Sequence, residues 1–214
     1  MKTVLCYGDS NTWGYNPQSQ DRYPLEARWV SVLARALGPE YLVIPEGLNG
    51  RTTVWPDPVE GEHKSGKTYL IPCLESHYPL DLVVLMLGTN DLKHRFGLSA
   101  GDIAYAAATL VGMIQSSAFG PAGAAPKVLL IAPPPTYVDG TMFADMFAGA
   151  DEKSADLGKR YSLVAQENGC AFLDAGQVIQ SGRLDGIHFA ADALPRLGAA
   201  VAAAVKQVLP GARG

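Results

Sequence analysis

Cysteine is scarce, and its placement excludes two uses. Cys6, Cys73 and Cys170 are odd in number and form no CxxC pair, so neither a disulfide framework nor a zinc-binding knuckle is available. Basic clusters are missing as well. The 17 Lys and Arg against 21 Asp and Glu leave a net charge of −4, and the phosphate neutralisation behind nucleic-acid affinity has no patch to act from. The same shortage argues against an acidic lipid surface as partner. No apolar run approaches the ~20 residues of a membrane helix. The chain also passes from Met1-Lys2-Thr3 straight into an apolar strand, without the longer apolar region and cleavage site of a secretory signal. His63, His77 and His94 are isolated, with no metal-ligand spacing. These absences lead to the expectation of a cytoplasmic protein with reduced, packed thiols, bound to neither nucleic acid nor membrane and holding no metal.

What is present is an ordinary globular composition, 48% hydrophobic and 18% charged, over a length that suits one domain spanning residues 1–214. Apolar runs of strand length recur at 3–7, 41–44, 82–87, 128–132 and 171–173. They are near-continuous rather than alternating, as strands buried on both faces are. Helical spacing lies between them. Trp29, Val30, Leu33, Ala34 and Leu37 share one face, stopped by Gly38-Pro39. Ile103, Ala107, Leu110, Val111 and Ile114 share another, with Ser99 three residues before Asp102 as an N-terminal signature. Leu157, Tyr161, Val164 and Ala165 mark a third helix, ended near Gly169. The stretch from 197 to 209 marks a fourth, closed by Pro210-Gly211. The alternation predicts an α/β fold with a parallel sheet and helices on both faces, and such sheets carry their sites at the carboxyl ends of strands. Two long stretches rich in Pro and Gly, 45–67 and 133–150, have the length of loops that shape a pocket or a subunit contact.

Three short strings carry chemistry. Gly8-Asp9-Ser10-Asn11 and Gly88-Thr89-Asn90-Asp91 each follow an apolar strand, and Asp185-Gly186-Ile187-His188 precedes the last helix. A serine hydroxyl is a weak nucleophile that needs a base within hydrogen-bond reach. Ser10 is the candidate, opening a helix after a glycine turn; the plainer reading makes it a helix cap. His188 is the candidate base and Asp185 its orienting partner, because i, i+3 spacing lets the carboxylate receive Nδ1–H while Nε2 faces the serine. Asn90 can aim its amide at an oxyanion, and Gly50 can add a backbone N–H. Trp13, Leu48 and Ile187 flank these positions as candidate acyl-pocket residues.

The order and content of Ser10, Gly50, Asn90 and Asp185-x-x-His188 resemble the SGNH hydrolase superfamily, the GDSL-type esterases. Gly8-Asp9-Ser10-x-Thr12-Trp13-Gly14, Glu46-Gly47-Leu48-x-x-Arg51-Thr52-Thr53, Met86-Leu87-Gly88-Thr89-Asn90-Asp91 and Asp185-Gly186-Ile187-His188-Phe189 are similar to its arylesterase and acyltransferase branch. The resemblance implies a flavodoxin-like three-layer α/β/α sandwich around a five-stranded parallel sheet. It implies Ser10 as nucleophile, His188 as base, Asp185 as its partner, and an oxyanion hole of the Ser10 and Gly50 N–H groups with the Asn90 side chain. Hydrolysis of short acyl esters without any cofactor follows, with acyl transfer to alcohols and homo-oligomers, octamers among them, in the same branch. A carbohydrate O-acetyl esterase and a lysophospholipase or thioesterase are the alternatives. One position departs from the pattern: Asn11 stands where many members carry leucine.

A rival motif occurs at Gly61-Glu62-His63-Lys64-Ser65-Gly66-Lys67-Thr68, which matches the phosphate-binding pattern G-x-x-x-x-G-K-[ST]. That loop must follow a buried strand. Pro56 and Pro58 make one implausible there, and Glu60 and Glu62 would repel phosphate. An exposed turn before a helix is the better expectation.

Overall fold

The computed structural model describes residues 1–210. In chain order the elements are β1 (Lys2–Gly8), α1 (Ser10–Trp13), β2 (Tyr15–Asn16), β3 (Asp21–Arg22), α2 (Trp29–Leu37), β4 (Tyr41–Gly47), α3 (Gly66–Ser76), β5 (Leu82–Met86), α4 (Ala100–Gln115), β6 (Lys127–Ala132), α5 (Ala150–Ala155), α6 (Leu157–Glu167), β7 (Ala171–Asp174) and α7 (Ala193–Val208). The main sheet is parallel in the order β4-β1-β5-β6-β7, and β2 and β3 form a small antiparallel ribbon. Counted within the main sheet this is the flavodoxin-like order 2-1-3-4-5, whose ligands sit where the winding reverses. Here the reversal lies between β1 and β5, the strands that lead into Ser10 and Asn90.

Side-chain alternation splits the strands between two cores. Leu5, Tyr7, Val83, Leu85, Val128 and Leu130 face one layer with α3, α4 and α6. Val4, Cys6, Leu82, Val84, Met86, Leu129 and Ile131 face the other with α2 and α7. Both faces are covered, which is why the strands lack polar alternation.

The four predicted helices and five strands are present, with informative differences. β4 runs on to Gly47 through Pro45, which a sheet tolerates because β4 is an edge strand. α3 continues through Pro72 despite the donor that proline lacks. α5 has only six residues, too few to show a helical period, and begins at Ala150, where the second long loop ends. Ser99 and Asp102 do form a capping box at the start of α4. Of the expected stop at Pro210-Gly211 and the domain end at 214, residues 211–214 lie outside the described residues.

Candidate active site

Ser10 leaves the end of β1 in a crowded place. Gly8 has no left-handed φ; it is required for space, since a Cβ there would run into the Thr12 side chain and approach Met86 O at 2.9 Å. The turn expected at Gly8 is therefore a close approach. Asp9, not Ser10, caps α1: its carboxylate accepts from Asn11 N at 2.9 Å. Ser10 occupies the first helical position with its hydroxyl free for another partner. That partner is His188 Nε2, 2.9 Å from Ser10 Oγ across 178 residues of sequence.

The turn at 185–188 is organised by one carboxylate. Asp185 Oδ1 accepts from the backbone N–H of Ile187 at 3.0 Å and of His188 at 2.9 Å, while Oδ2 accepts from His188 Nδ1 at 2.7 Å. Burial alone would raise the Asp185 carboxyl; the bond from His188, its charge and the two backbone N–H groups outweigh this and hold it below the usual range. An ionised Asp185 fixes the Nδ1–H tautomer and leaves Nε2 as acceptor for the serine proton. Gly186 makes the turn possible: its φ is +80°, and a Cβ would strike the backbone of Tyr137. The His188 ring packs against Tyr15, with centroids 4.3 Å apart, and is 8% exposed.

The oxyanion candidates gather beside Ser10. Asn90 Nδ2 donates to Arg51 O at 3.1 Å, which orients the amide; its second N–H has no partner among the described residues. The N–H groups of Ser10 and Gly50 donate to nothing among the described residues. Arg51 ties this region together. It is buried, donates from Nη1 to Gly8 O at 2.9 Å and to Glu46 O, and lies 4.1 Å over the Tyr7 ring. Asp91 accepts from both N and Oγ1 of Thr53, and burial pushes its carboxyl up to about 6.

Asn11, the departure from the family pattern, has a structural role. Its side chain grips the backbone on both sides of His188: Oδ1 accepts from Phe189 N at 3.1 Å, and Nδ2 donates to Ile187 O at 3.4 Å. The spacing in sequence gave no hint of this clamp.

Ser10, Gly50, Asn90 and His188 line one cavity of about 220 Å³. Ile187, Phe143, Met146 and Phe147 supply its apolar wall; Tyr15, Asn49, Glu60 and Lys93 complete it. Both long loops therefore reach the cavity. Of the three expected pocket residues only Ile187 lines it. Trp13 instead lies under the Arg22 guanidinium, at 4.7 Å, and Leu48 faces a separate depression with Arg51 and Tyr69. A wider groove of about 430 Å³ along residues 176–183 and 190–196 holds no serine–histidine pair.

His77, isolated in sequence, meets Glu46 and Cys73 in space, with donor atoms within 4.8 Å of one another. His77 Nε2 already bonds Glu46 Oε1 at 2.9 Å, and burial, then the Glu46 charge, pushes the Cys73 thiol up to about 12. A neutral thiol near the Arg51 cation is a poor cation ligand. At the rival motif no strand among the described residues leads into Gly61, since β4 ends at Gly47, and residues 62–64 form a single tight turn before α3. The geometry of a phosphate loop is absent there.

Comparison with known proteins gives the family and the fold. The model of the GDSL-like lipase/acylhydrolase family matches residues 6–194. Est24, a carbohydrate acetylesterase from Sinorhizobium meliloti, is 42% identical with a TM-score of 0.92, over 97% of this chain and 100% of that one. The aryl esterase of M. smegmatis is 40% identical with a TM-score of 0.92, over the same shares. A lipolytic G-D-S-L protein from Veillonella parvula, 17% identical over 97% of this chain and 99% of that one, shares the fold with a TM-score of 0.66. A search of curated proteins gives no match. The chain belongs to the GDSL-like lipase/acylhydrolase family.

Proposed function

We propose that this chain is a serine esterase that cleaves short acyl esters through an acyl-serine at Ser10. The observation that carries the reading is the hydrogen-bonded chain from Ser10 Oγ to His188 Nε2, 2.9 Å, and from His188 Nδ1 to Asp185, 2.7 Å. His188 takes the serine proton as Oγ attacks the ester carbonyl, and Asp185 stabilises the imidazolium that forms. The oxyanion receives hydrogen bonds from the N–H groups of Ser10 and Gly50 and from Asn90 Nδ2. Removing one such donor costs about 10²–10³-fold in rate. The alcohol departs with the proton from His188, and water, activated by the same imidazole, releases the acid. No step needs a cofactor.

The names of the similar structures, an aryl esterase and a carbohydrate acetylesterase, support ester substrates. A cavity of about 220 Å³ suits a short acyl group better than a lipid chain, which weighs against the lysophospholipase and thioesterase alternatives. Transfer to an alcohol differs only in what takes the acyl group off Ser10 and belongs to the same proposal. Self-association is supported by the resemblance and by Met142 and Met146, exposed in the loop that walls the cavity. A cytoplasmic location is supported by the unpaired cysteines; no helix among the described residues is long and apolar enough to cross a membrane. Hydrolysis of p-nitrophenyl acetate by wild type, lost in a folded Ser10→Ala variant, tests the reading.

A further inference from the structure

Besides its apolar residues, the cavity at Ser10 is lined by two charged side chains, Glu60 and Lys93, that the proposed reaction does not use. Lys93 is 2% exposed, and a buried ammonium must be paired. Its Nζ donates to Asp57 Oδ2 at 3.1 Å and to Glu60 Oε1 at 2.5 Å. Arg95 braces both acids, with Nη1 3.0 Å from Asp57 Oδ1 and Nη2 3.5 Å from Glu60 Oε1. Asp57 is fully buried; the N–H groups of Glu60 and Val59 and the Lys93 ammonium overcome the effect of burial and bring it down to about 2. Two cations thus balance two anions, and the cluster adds no net charge beside the oxyanion donors.

Pairing within the cluster leaves groups over. An ammonium has three N–H bonds, and Lys93 uses two among the described residues. Glu60 Oε2 accepts from none of them and lies against Gly50, where any Cβ would strike it. The neighbouring Asn49 Oδ1 is buried without a donor. This wall therefore offers a donor and acceptors together, next to the backbone N–H of Gly50. A hydroxyl group is the ligand that both donates and accepts in so small a space.

We propose that Glu60 and Lys93 form a hydroxyl-binding subsite that selects esters of polyols, those with a free hydroxyl on the carbon adjacent to the acylated one. The substrate hydroxyl donates to Glu60 Oε2 and accepts from Lys93 Nζ. Glu60 Oε2 lies against Gly50, whose N–H is an oxyanion candidate, so the subsite adjoins the reacting ester and meets a hydroxyl on the neighbouring carbon. The inference rests on the esterase reading above and names its substrate class.

The test compares glycerol monoacetate with propyl acetate, which share the acetyl group and a three-carbon alcohol but differ in vicinal hydroxyls. Release of acetic acid is followed by pH-stat for wild type and Glu60→Gln. The glutamine keeps an oxygen towards Lys93 and puts an NH₂ where Oε2 stood, exchanging acceptor for donor. Wild type is expected to favour glycerol monoacetate in kcat/KM by about tenfold, the ordinary worth of one or two such bonds. Glu60→Gln is expected to bring the ratio close to one. A wild-type ratio near one, which needs no variant to be folded, overturns the subsite while leaving the esterase reading in place. So does a ratio unchanged in a folded Glu60→Gln. Wild type inert towards both esters overturns the esterase reading itself.

Discussion

Replacing Asn11 by leucine, the residue many family members carry there, isolates the clamp on His188. Leucine has nearly the same volume, so packing is largely kept. What is lost is the acceptor for Phe189 N–H at 3.1 Å and the longer bond to Ile187 O at 3.4 Å. Asn11 is 4% exposed, so water does not readily replace it. A buried N–H left without a partner costs about 1–3 kcal/mol, and the 3.4 Å bond adds little. Urea unfolding should therefore show Asn11→Leu less stable by that amount. The bonded residues flank the imidazole, so the ring loses its fixed approach to Ser10 Oγ. A drop in kcat for p-nitrophenyl acetate is expected, measured well below the unfolding transition, with KM moving less. Lower stability with an intact kcat would reduce Asn11 to a packing residue. Unchanged stability and unchanged kcat would refute the clamp altogether.

Two further substitutions probe the surroundings. Gly186→Ala puts a side chain at φ +80° and against the Tyr137 backbone. The left-handed conformation alone costs an L-residue about 1–2 kcal/mol. A lower melting temperature and a lower kcat together are expected, and a variant matching wild type in both would show that the 185–188 turn tolerates other geometries. For Asp91→Asn the pH dependence decides. Burial raises the Asp91 carboxyl from 3.8 to about 6, with Asp9 adding to the effect, so the folded chain holds this proton more tightly than the unfolded one. Its contribution to stability is present below the unfolded value and lost as pH rises through about 6. Stability of wild type relative to Asp91→Asn should thus gain up to about 3 kcal/mol between about pH 7 and pH 4. A difference independent of pH would contradict the burial argument.

The fold was legible where its signals are local and repeated. Continuous apolar runs announced strands covered on both faces, and helical spacing located α2, α4, α6 and α7. α5 and the β2–β3 ribbon escaped because six-residue and two-residue elements carry no period. Within the site, Ser10, Asp185 and His188 stood out because their chemistry depends on residue type at fixed spacing. The pocket did not. Phe143, Met146, Phe147, Glu60 and Lys93 come from loops and turns whose course is set by tertiary packing, while Trp13 and Leu48 looked near the site only along the chain. Asn11 read as an anomaly in sequence because its partners lie 176 and 178 residues away.

The most direct test of the account is the mass of the protein mixed rapidly with p-nitrophenyl acetate and quenched in acid. Wild type is predicted to gain one acetyl group, mapped to the peptide containing Ser10, with a matching burst of p-nitrophenol. Ser10→Ala is predicted to show neither. Turnover by wild type without an adduct or burst, or an equal rate in folded Ser10→Ala, would contradict the acyl-serine mechanism.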